Sequence, residues 1–474
     1  MNLRTLALPG GPVIAVLTWW VSMVFQVPVD MAAVLIAASW MLTWWVSEAV
    51  PLGVTSLLPL VLFPLLGVTD VASAAGPYGS KYVFLFMGGF LIAIALERWR
   101  LHKRFALNVL VAAGGNPRRL LGGFMLATAA LSMWISNTAT TLMMLPIAMS
   151  VLSSIDIQRH PHLPMSMLLG TAYAANAGGI ATLVGTPPNV AMAGLLEEHT
   201  TRSVAFLEWS AMALPFSILL LALIYLLLTR VLCPVSKTSL STGVEGLKKE
   251  LGALGAWTAA EKRVAVVFAT TALCWMGRRF IVAQWGFPLN DTSIAMAAGL
   301  LLFVLPAGGL ECDQRILTWE DAKRLPWDIL LLFGGGLTLA KQLADANVLD
   351  AIADSVSALP NMSPSLLIAG FVVMSLFLTE VMSNLALTVV MVPVVANVAL
   401  NWGMDPLMLV VPVTMASSCA FMLPMATPPN AIVFGSGLLH MSDMVRVGLV
   451  LNVVAAFVTW LWSIWVLPVW MQQF

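Results

Sequence analysis

The sequence predicts an all-α polytopic membrane protein that is built as an inverted repeat. Three observations lead to this prediction. The 474 residues are 60% hydrophobic and only 10% charged, whereas soluble domains carry about 25% charged residues. Apolar segments recur at the length of a membrane-spanning helix, which is about 20 residues. Polar motifs interrupt the apolar chain in two matched pairs, with one pair in each half.

Eleven apolar segments are predicted to cross the membrane as helices. Their ends are approximate to a few residues. The segments are 9–27, 31–49, 52–68, 81–97, 163–196, 208–232, 262–284, 291–307, 327–342, 405–438 and 445–470.

Two further apolar segments, about 120–153 and 364–401, are too long for one span and are polar at the middle. "SNTATT" interrupts the first segment and "TEVMSNLALT" interrupts the second. An amide or hydroxyl without a partner in hydrocarbon costs free energy, so a lipid-facing helix would not carry these groups. A re-entrant hairpin fits both segments, because the chain then enters, turns and leaves on the same side.

Charge predicts the orientation of the chain. Segment 98–119 contains six Lys or Arg residues, which places it in the cytoplasm by the positive-inside rule. It also contains regularly placed apolar residues, so we expect an amphipathic helix along the membrane surface. Segment 342–364 contains three Asp and no Lys or Arg, and is predicted to be external. The N-terminus is then cytoplasmic and the C-terminus external, although Arg278 and Arg279 fall on the external side against the rule.

The two halves of the chain share short sequences in the same order. The pairs are "PLGVTS" at 51–56 with "PLNDTS" at 288–293, "FMGGFLIAIA" with "FGGGLTLAKQ", "SNTATT" with "SNLALT", and "GTPPN" at 185–189 with "ATPPN" at 426–430. The predicted repeats cover 1–234 and 261–474, and a polar cytoplasmic linker, 235–260, joins them. Because the charged segments place the halves in opposite topology, the pattern is typical of an alternating-access transporter.

The two Pro-Pro motifs must unwind their helices, near Gly185–Asn189 and near Thr427–Asn430. Unwound backbone is tolerated at membrane depth only within protein or against a water-filled cavity. Its free carbonyls, with Ser, Thr and Asn oxygens, suit a small hard cation. The helix that restarts after each hairpin turn presents N–H groups and a positive dipole end, which suit an anion. Two such ends suit a substrate with two negative groups, such as a dicarboxylate.

Four motifs resemble those of the divalent anion:sodium symporter family, the INDY-type dicarboxylate transporters. The motifs are "SMWISNTAT" (132–140), "ANAGGIATLVGTPPN" (175–189), "LTEVMSNLA" (378–386) and "MATPPN" (425–430). The resemblance covers essentially the whole chain. It implies eleven transmembrane helices, two opposed hairpins, a homodimer in the lipid of the cell membrane, and an elevator mechanism.

The resemblance also implies the binding residues. Sodium ions would bind at two sites, one formed by Ser132, Ser136, Asn137 and Gly185, and the other by Thr379, Asn384 and Ala426. The carboxylates of a small dianionic substrate would contact Ser136, Asn137, Thr138, Ser383, Asn384, Thr427 and Pro428.

Leu385 and Glu380 of the second hairpin bear on the selectivity and on the mechanism of the predicted site. The family pattern is Ser-Asn-Thr, and Leu385 stands here in the place of the Thr, among the substrate-binding residues. A neutral hydrogen bond contributes about 0.5–1.5 kcal/mol, so binding need not be lost, but selectivity is in question. Glu380 is a carboxylate at membrane depth, which is a functional hypothesis by default. It is either a proton carrier or a hydrogen-bonded brace for the hairpin.

The function predicted from these features is sodium-coupled uptake of C4-dicarboxylates such as succinate, malate and fumarate. Sodium-independent exchange of dicarboxylates is an alternative, and symport of sulfate or a sulfonate is another. The sequence contains no HExxH and no nucleotide-binding motif, which argues against an intramembrane enzyme and against ATP as the energy source. Lys plus Arg and Asp plus Glu balance at 23 each, so no basic surface suggests binding to nucleic acid.

Overall fold

The computed structural model describes residues 3–153, 160–200, 202–235, 241–308, 314–358 and 362–473. Cys312 and the linker residues 236–240 lie outside these ranges. Within them the chain is helical and forms no β-strand, apart from an isolated bridge between Pro306 and Arg315. The all-α prediction is confirmed.

The first half of the chain forms twelve α-helices among the described residues. A 3-10 turn, Gly76–Gly79, precedes the sixth, and a π-helical segment, Leu228–Leu232, follows the twelfth. The helices are α1 (Leu3–Val24), α2 (Val29–Ser47), α3 (Leu52–Thr55), α4 (Pro59–Leu65), α5 (Val71–Ala75), α6 (Lys81–Arg98), α7 (Leu101–Ala113), α8 (Pro117–Ser132), α9 (Asn137–Ser153), α10 (Leu163–Ile180), α11 (Pro187–Thr200) and α12 (Phe206–Leu227).

The linker and the second half of the chain form twelve further α-helices among the described residues. They are α13 (Ser241–Ala253), α14 (Ala259–Trp285), α15 (Asp291–Val304), α16 (Trp319–Ala322), α17 (Trp327–Asp345), α18 (Val348–Ser357), α19 (Pro364–Leu378), α20 (Asn384–Asn401), α21 (Leu407–Ser417), α22 (Pro428–Phe434), α23 (Met441–Trp465) and α24 (Leu467–Met471).

The described residues contain 7 helices that are long and apolar enough to cross a membrane, or 8 if the pair α17–α18, bent by 69°, is one span. Several other predicted spans occur as shorter apolar helices, such as α15 and α21. The predicted span 163–196 is divided between α10 and α11 by the Pro-Pro motif. The total of eleven spans therefore stays a prediction.

Each predicted hairpin is a pair of helices. The first helix of each pair begins with a capping residue that is followed by proline. Asn116 caps α8 by accepting hydrogen bonds from the N–H groups of Arg118 (3.0 Å) and Arg119 (3.3 Å). Ser363 caps α19 in the same way, at 3.2 Å from the N–H of Leu366. Proline follows each cap at the first helical position, where its missing N–H costs nothing. We call residues 133–136, between α8 and α9, the first tip, and residues 379–383, between α19 and α20, the second tip.

The hairpins and the broken helices pack crosswise. Each Pro-Pro motif lies where a helix is interrupted, and we call residues 181–186 the first break and residues 418–427 the second break. In each half, the hairpin contacts the helix that precedes the break, with α8 and α9 on α10, and α19 and α20 on α21. The second helix of each hairpin also contacts the restarted helix of the other half, with α9 on α22 and α20 on α11. The two halves therefore share one core around the breaks.

The basic segment and the linker both form helices beside the first hairpin. Helix α7 buries Arg104, Ala106, Leu107 and Leu110, while Phe105 is exposed. Helix α13 of the linker contacts α7 and α9. The linker is thus partly helical and packs against the first half.

Candidate functional site

The first tip is organised around Asn137, the first residue of α9. The hydroxyl of Ser132 donates to Asn137 Oδ1 at 2.7 Å, and the hydroxyl of Thr141 donates to the Asn137 carbonyl at 2.8 Å. Ser136 Oγ accepts from the N–H of Ala139 at 3.3 Å, which caps the restarting helix. The side chain of Asn137 is therefore held at the helix N-terminus, half-buried.

The second tip repeats this arrangement around Asn384. Thr379 Oγ1 lies 2.7 Å from Asn384 Oδ1, and the hydroxyl of Thr388 donates to the Asn384 carbonyl at 2.8 Å. The spacings of five and four residues are the same as at Asn137. Thr379 Oγ1 also lies 2.6 Å from the carbonyl of Ser417, at the end of α21. The tip thereby contacts the second break directly.

The asparagine of each Thr-Pro-Pro-Asn motif donates hydrogen bonds to backbone carbonyls in or just before its unwound segment. Asn189 Nδ2 donates to the carbonyls ten and seven residues earlier, Gly179 at 3.0 Å and Thr182 at 2.7 Å. Asn430 Nδ2 donates to the carbonyls at the same two separations, both at 3.1 Å. Both asparagines are fully buried. The two breaks are therefore equivalent in hydrogen bonding as well as in sequence.

Asn176, on α10, connects the first tip with the second break. Its Oδ1 accepts from Asn137 Nδ2 at 3.4 Å. Its Nδ2 donates to the carbonyl of Ala420 at 3.3 Å and to Thr427 Oγ1 at 3.4 Å. Asn176 is fully buried, so these contacts satisfy an amide that has no access to water.

Backbone oxygens converge at Gly185, at the end of the first break. A Cβ atom built on Gly185 would lie 2.5 Å from the Gly179 carbonyl oxygen and 3.1 Å from those of Ser132 and Met133. Together with the Asn137 side chain they form a set of neutral oxygen donors, which fits a hard monovalent cation. No group of three His, Cys, Asp or Glu side chains that could hold a metal occurs in the described ranges.

The second predicted cation set comprises Thr379, Asn384 and Ala426. Thr379 and Asn384 are in contact. Ala426 belongs to the loop that Asn430 closes, and its N–H donates to the Leu423 carbonyl at 3.2 Å. The oxygens are again neutral, so the chemistry fits the same cation.

The predicted substrate residues differ in accessibility. Half-buried polar residues lie at each tip and in the first turn of the helix that follows it, and these are Ser136, Asn137, Thr138, Ser383 and Asn384. Pro428 is exposed, whereas Thr427 is 3% exposed and its Oγ1 accepts from the N–H of Asn430 at 3.3 Å. Leu385 is 5% exposed, while its counterpart Thr138 is half-buried. The second tip thus offers a less polar surface than the first.

Comparisons with known proteins identify the family of the chain. Residues 12–471 match the family described as "Sodium:sulfate symporter transmembrane region". The chain belongs to this family. It is 36% identical over 458 residues to the sodium-dependent dicarboxylate transporter SdcS of Staphylococcus saprophyticus, covering 94% of this chain and 88% of that protein. It is 37% identical over 473 residues to SdcS of Staphylococcus aureus strain MSSA476, covering 97% and 90%.

Solved structures support a transporter fold for this sodium:sulfate symporter family member. The Alcanivorax borkumensis YdaH transporter aligns with a TM-score of 0.59 at 14% identity, over 85% of this chain and 89% of YdaH. Neisseria gonorrhoeae MtrF, from a class of antimetabolite efflux pumps, aligns with a TM-score of 0.59 at 15% identity, over 86% and 84%. At these identities the likeness concerns the fold alone. The family match and the apolar helices together show that the chain is an integral membrane protein.

In this member of the symporter family, Glu380 lies in the second tip and braces the tip through hydrogen bonds. Its Oε1 accepts from the N–H groups of Phe421 (2.8 Å) and Met422 (2.9 Å) and from Asn452 Nδ2 (2.7 Å). Its Oε2 accepts from the N–H of Leu423 at 2.9 Å. The carboxylate ties the tip to the second break and to α23. Of the two roles that the sequence left open, this geometry favours the brace over the proton carrier.

The sequence did not single out Asn176, Asn189 or Asn430 as site residues. All three lie in or beside the quoted motifs, so their presence was visible. Asn176 has partners 39 and 251 positions away. Periodicity and spacing carry no information on contacts of that separation.

Proposed function

We propose that this protein is a secondary transporter that couples the uptake of C4-dicarboxylates to sodium. The observation that carries the proposal is the repeated site, with two tips and two breaks that share the same hydrogen bonds around neutral oxygens. The relatives are sodium-dependent dicarboxylate transporters, which supports both the ion and the substrate class.

Sodium would bind in two places. Ser132, Ser136, Asn137 and Gly185 would hold one ion, and Thr379, Asn384 and Ala426 the other. Since no Lys or Arg occurs in the four motifs, the bound cations would supply the positive charge that two carboxylates require. The restarting helices α9 and α20 would add their N-terminal N–H groups.

The substrate would bridge the two tips. Its carboxylates would contact Ser136, Asn137 and Thr138 at one end, and Ser383, Asn384 and Leu385 at the other, with Thr427 and Pro428 beside them. Asn137 and Asn384 would serve both ion and substrate. Each ligand would therefore order the side chain that the other needs, and the coupling of the two affinities would be reciprocal.

The moving unit would comprise the two hairpins and the two broken helices. Their crosswise contacts, α9 on α22 and α20 on α11, support a single rigid block. An elevator movement of this block within a homodimer, with a cytoplasmic N-terminus and an external C-terminus, would expose the site alternately. The inverted repeats, 1–234 and 261–474, and the linker 235–260 are the units of this proposal.

Uptake of labelled succinate into proteoliposomes tests the function. We expect accumulation in empty vesicles when an inward sodium gradient is imposed. Uptake only into succinate-loaded vesicles, indifferent to sodium, would instead establish exchange. Preference for sulfate over succinate under the sodium gradient would reassign the substrate.

Two variants test the proposed site. Asn137→Ala and Asn384→Ala should each abolish sodium-driven uptake, because each removes a shared ligand of ion and substrate. Asn108→Ala is the matched control, since Asn108 is exposed on α7 and donates only to the Arg104 carbonyl of its own helix at 2.8 Å. Normal uptake by either tip variant would disprove the assigned site.

A further inference from the structure

A basic cavity of about 480 Å³ lies where α6 meets α7. Four cationic side chains line it, Arg98, Arg100, Lys103 and Arg324, together with the single carboxylate of Glu97. Three of the cations have carboxylate partners: Asp321 for Arg98, Glu250 for Lys103 at 3.1 Å, and Glu97 for Arg324 at 3.5 Å.

These ion pairs leave the basic cavity able to bind an anion. The side chains of Lys103 and Arg324 are 38% and 56% exposed, and exposed ion pairs contribute little free energy, so a strong ligand can replace their partners. Arg100 is exposed and adds a further positive charge. Burial, and then the charges of Lys103 and Arg100, lower the pKa of His102, which also lines the cavity, so its ring is neutral at pH 7.

The basic cavity continues into a second, largely apolar one of about 490 Å³. The two share His102, Lys103 and Met143. The apolar cavity lies between α7, the first hairpin and α13. Its additional apolar lining consists of Ala106, Leu131, Met144, Pro146 and Ile147, and the carboxylate of Glu250, the partner of Lys103, lies on its α13 side. A ligand that fills both cavities has an anionic end and a hydrocarbon end.

The position of the two cavities agrees with this chemistry. Helix α6 ends a segment, Val71–Arg98, that is long and apolar enough to cross a membrane, so we place the basic cavity at a membrane boundary. Segment 98–119 is predicted to be cytoplasmic, and the cytoplasmic leaflet carries the anionic lipids. A small soluble anion would gain nothing from the apolar cavity. A zwitterionic head group carries a cation as well as a phosphate, and the four basic side chains would repel that cation.

We propose that the two cavities together bind one anionic phospholipid. Its phosphate contacts Arg100, Lys103 and Arg324, and the start of one acyl chain packs against Met143, Met144 and Ile147. The lipid then lies between the surface helix α7 and the second helix of the first hairpin. None of these side chains belongs to the proposed transport site, so lipid binding is separable from substrate binding.

Native mass spectrometry of the full-length protein, titrated with phosphatidylglycerol or phosphatidylcholine, tests the proposal. Arg100→Gln/Lys103→Gln should weaken phosphatidylglycerol binding by about 30-fold, since each basic residue near a lipid surface contributes about one kcal/mol. Lys248→Gln/Lys249→Gln is the matched control, because both lysines are exposed on the neighbouring α13 and do not line either cavity. The control should bind as the wild type does.

A second variant and two competitors complete the test. Arg324→Gln alters the opposite wall of the basic cavity from a different element and should weaken binding about 5-fold. Equal phosphatidylglycerol binding by the cavity variants and the control, or equal binding of both lipids, would overturn the proposal. So would displacement of the lipid by millimolar inorganic phosphate or succinate, because the site would then belong to a soluble anion.

Discussion

Asn176 Nδ2 lies 3.4 Å from Thr427 Oγ1, although 251 positions separate the two residues in the chain. Asn176 Oδ1 also accepts from Asn137 Nδ2 at 3.4 Å. One buried amide therefore connects the first tip, which carries a predicted sodium ligand, with the second break, which carries a predicted substrate contact. Ligands bound at the two predicted sites would be linked through it.

Replacement of Asn176 by Ala should weaken this link. A buried polar group that loses its partner costs about 1–3 kcal/mol, and 1.4 kcal/mol corresponds to a tenfold change in affinity. We expect the KM for succinate, and the sodium concentration for half-maximal uptake, to rise about tenfold. Thr171→Ala is the control on the same helix, because the Thr171 hydroxyl donates to the Met167 carbonyl at 2.7 Å. If both variants behave alike, Asn176 has no special role.

Replacement of Glu380 by Gln distinguishes the brace from the proton carrier. The Gln amide would place its own N–H group against backbone N–H groups that now donate to the carboxylate oxygens. Each hydrogen bond to a charged group that is lost in this way costs about 1.5–3 kcal/mol. The melting temperature should fall markedly, and Asn452→Ala, which removes one donor, should lower it less. A stable Glu380→Gln protein whose uptake has lost its pH dependence would favour the proton carrier instead.

Replacement of Gly179 by Ala should displace the first tip. The new Cβ would lie 2.4 Å from Asn137 Oδ1 and 3.1 Å from its Cγ, so Asn137 has to move away from its predicted sodium site. We expect sodium affinity to fall at least tenfold with the protein still folded. Gly370→Ala, where no atom lies within 4 Å, should be silent. Unchanged sodium dependence in Gly179→Ala would remove Asn137 from the ion site.

Replacement of Leu385 by Thr restores the family pattern of the second tip. The side chain is buried beside Asn384, so the new hydroxyl adds one polar contact there, worth about 0.5–1.5 kcal/mol. Competition of unlabelled succinate, malate, fumarate and sulfate against labelled succinate should shift by about 3- to 10-fold between substrates. The sodium dependence should change less, and an unaltered profile would exclude Leu385 from selectivity.

The buried pair Arg104 and Glu261 gives a prediction on stability. Arg104 Nε donates to Glu261 Oε1 at 2.9 Å, with side chains 7% and 5% exposed. Breaking a buried ion pair costs about 3–5 kcal/mol, because one charge stays buried alone. Arg104→Met should therefore unfold at a lower temperature than the double variant Arg104→Met/Glu261→Met. Equal losses in thermal unfolding would mean that packing, and not charge, stabilises this contact.

Much of the fold follows from local sequence. Composition alone places the chain in a membrane, because an apolar surface of this extent is stable only in lipid. A capping residue and the proline after it determine where helices such as α8 and α19 begin, since both act within one turn. The two tips and the two Pro-Pro breaks are therefore visible in the sequence, and the structure has helix ends at each of them.

What the tertiary structure alone decided is which of these local features meet. The contact of α9 with α22 and of α20 with α11 joins segments that are far apart in the chain, and apolar helix faces look alike in sequence. The sequence also does not show whether Glu380 carries a proton or accepts hydrogen bonds from backbone N–H groups. Nor does it show which groups bind the amide of Asn176. Short-range rules specify where a helix stops, but only packing of the whole core selects the partners of a buried polar group.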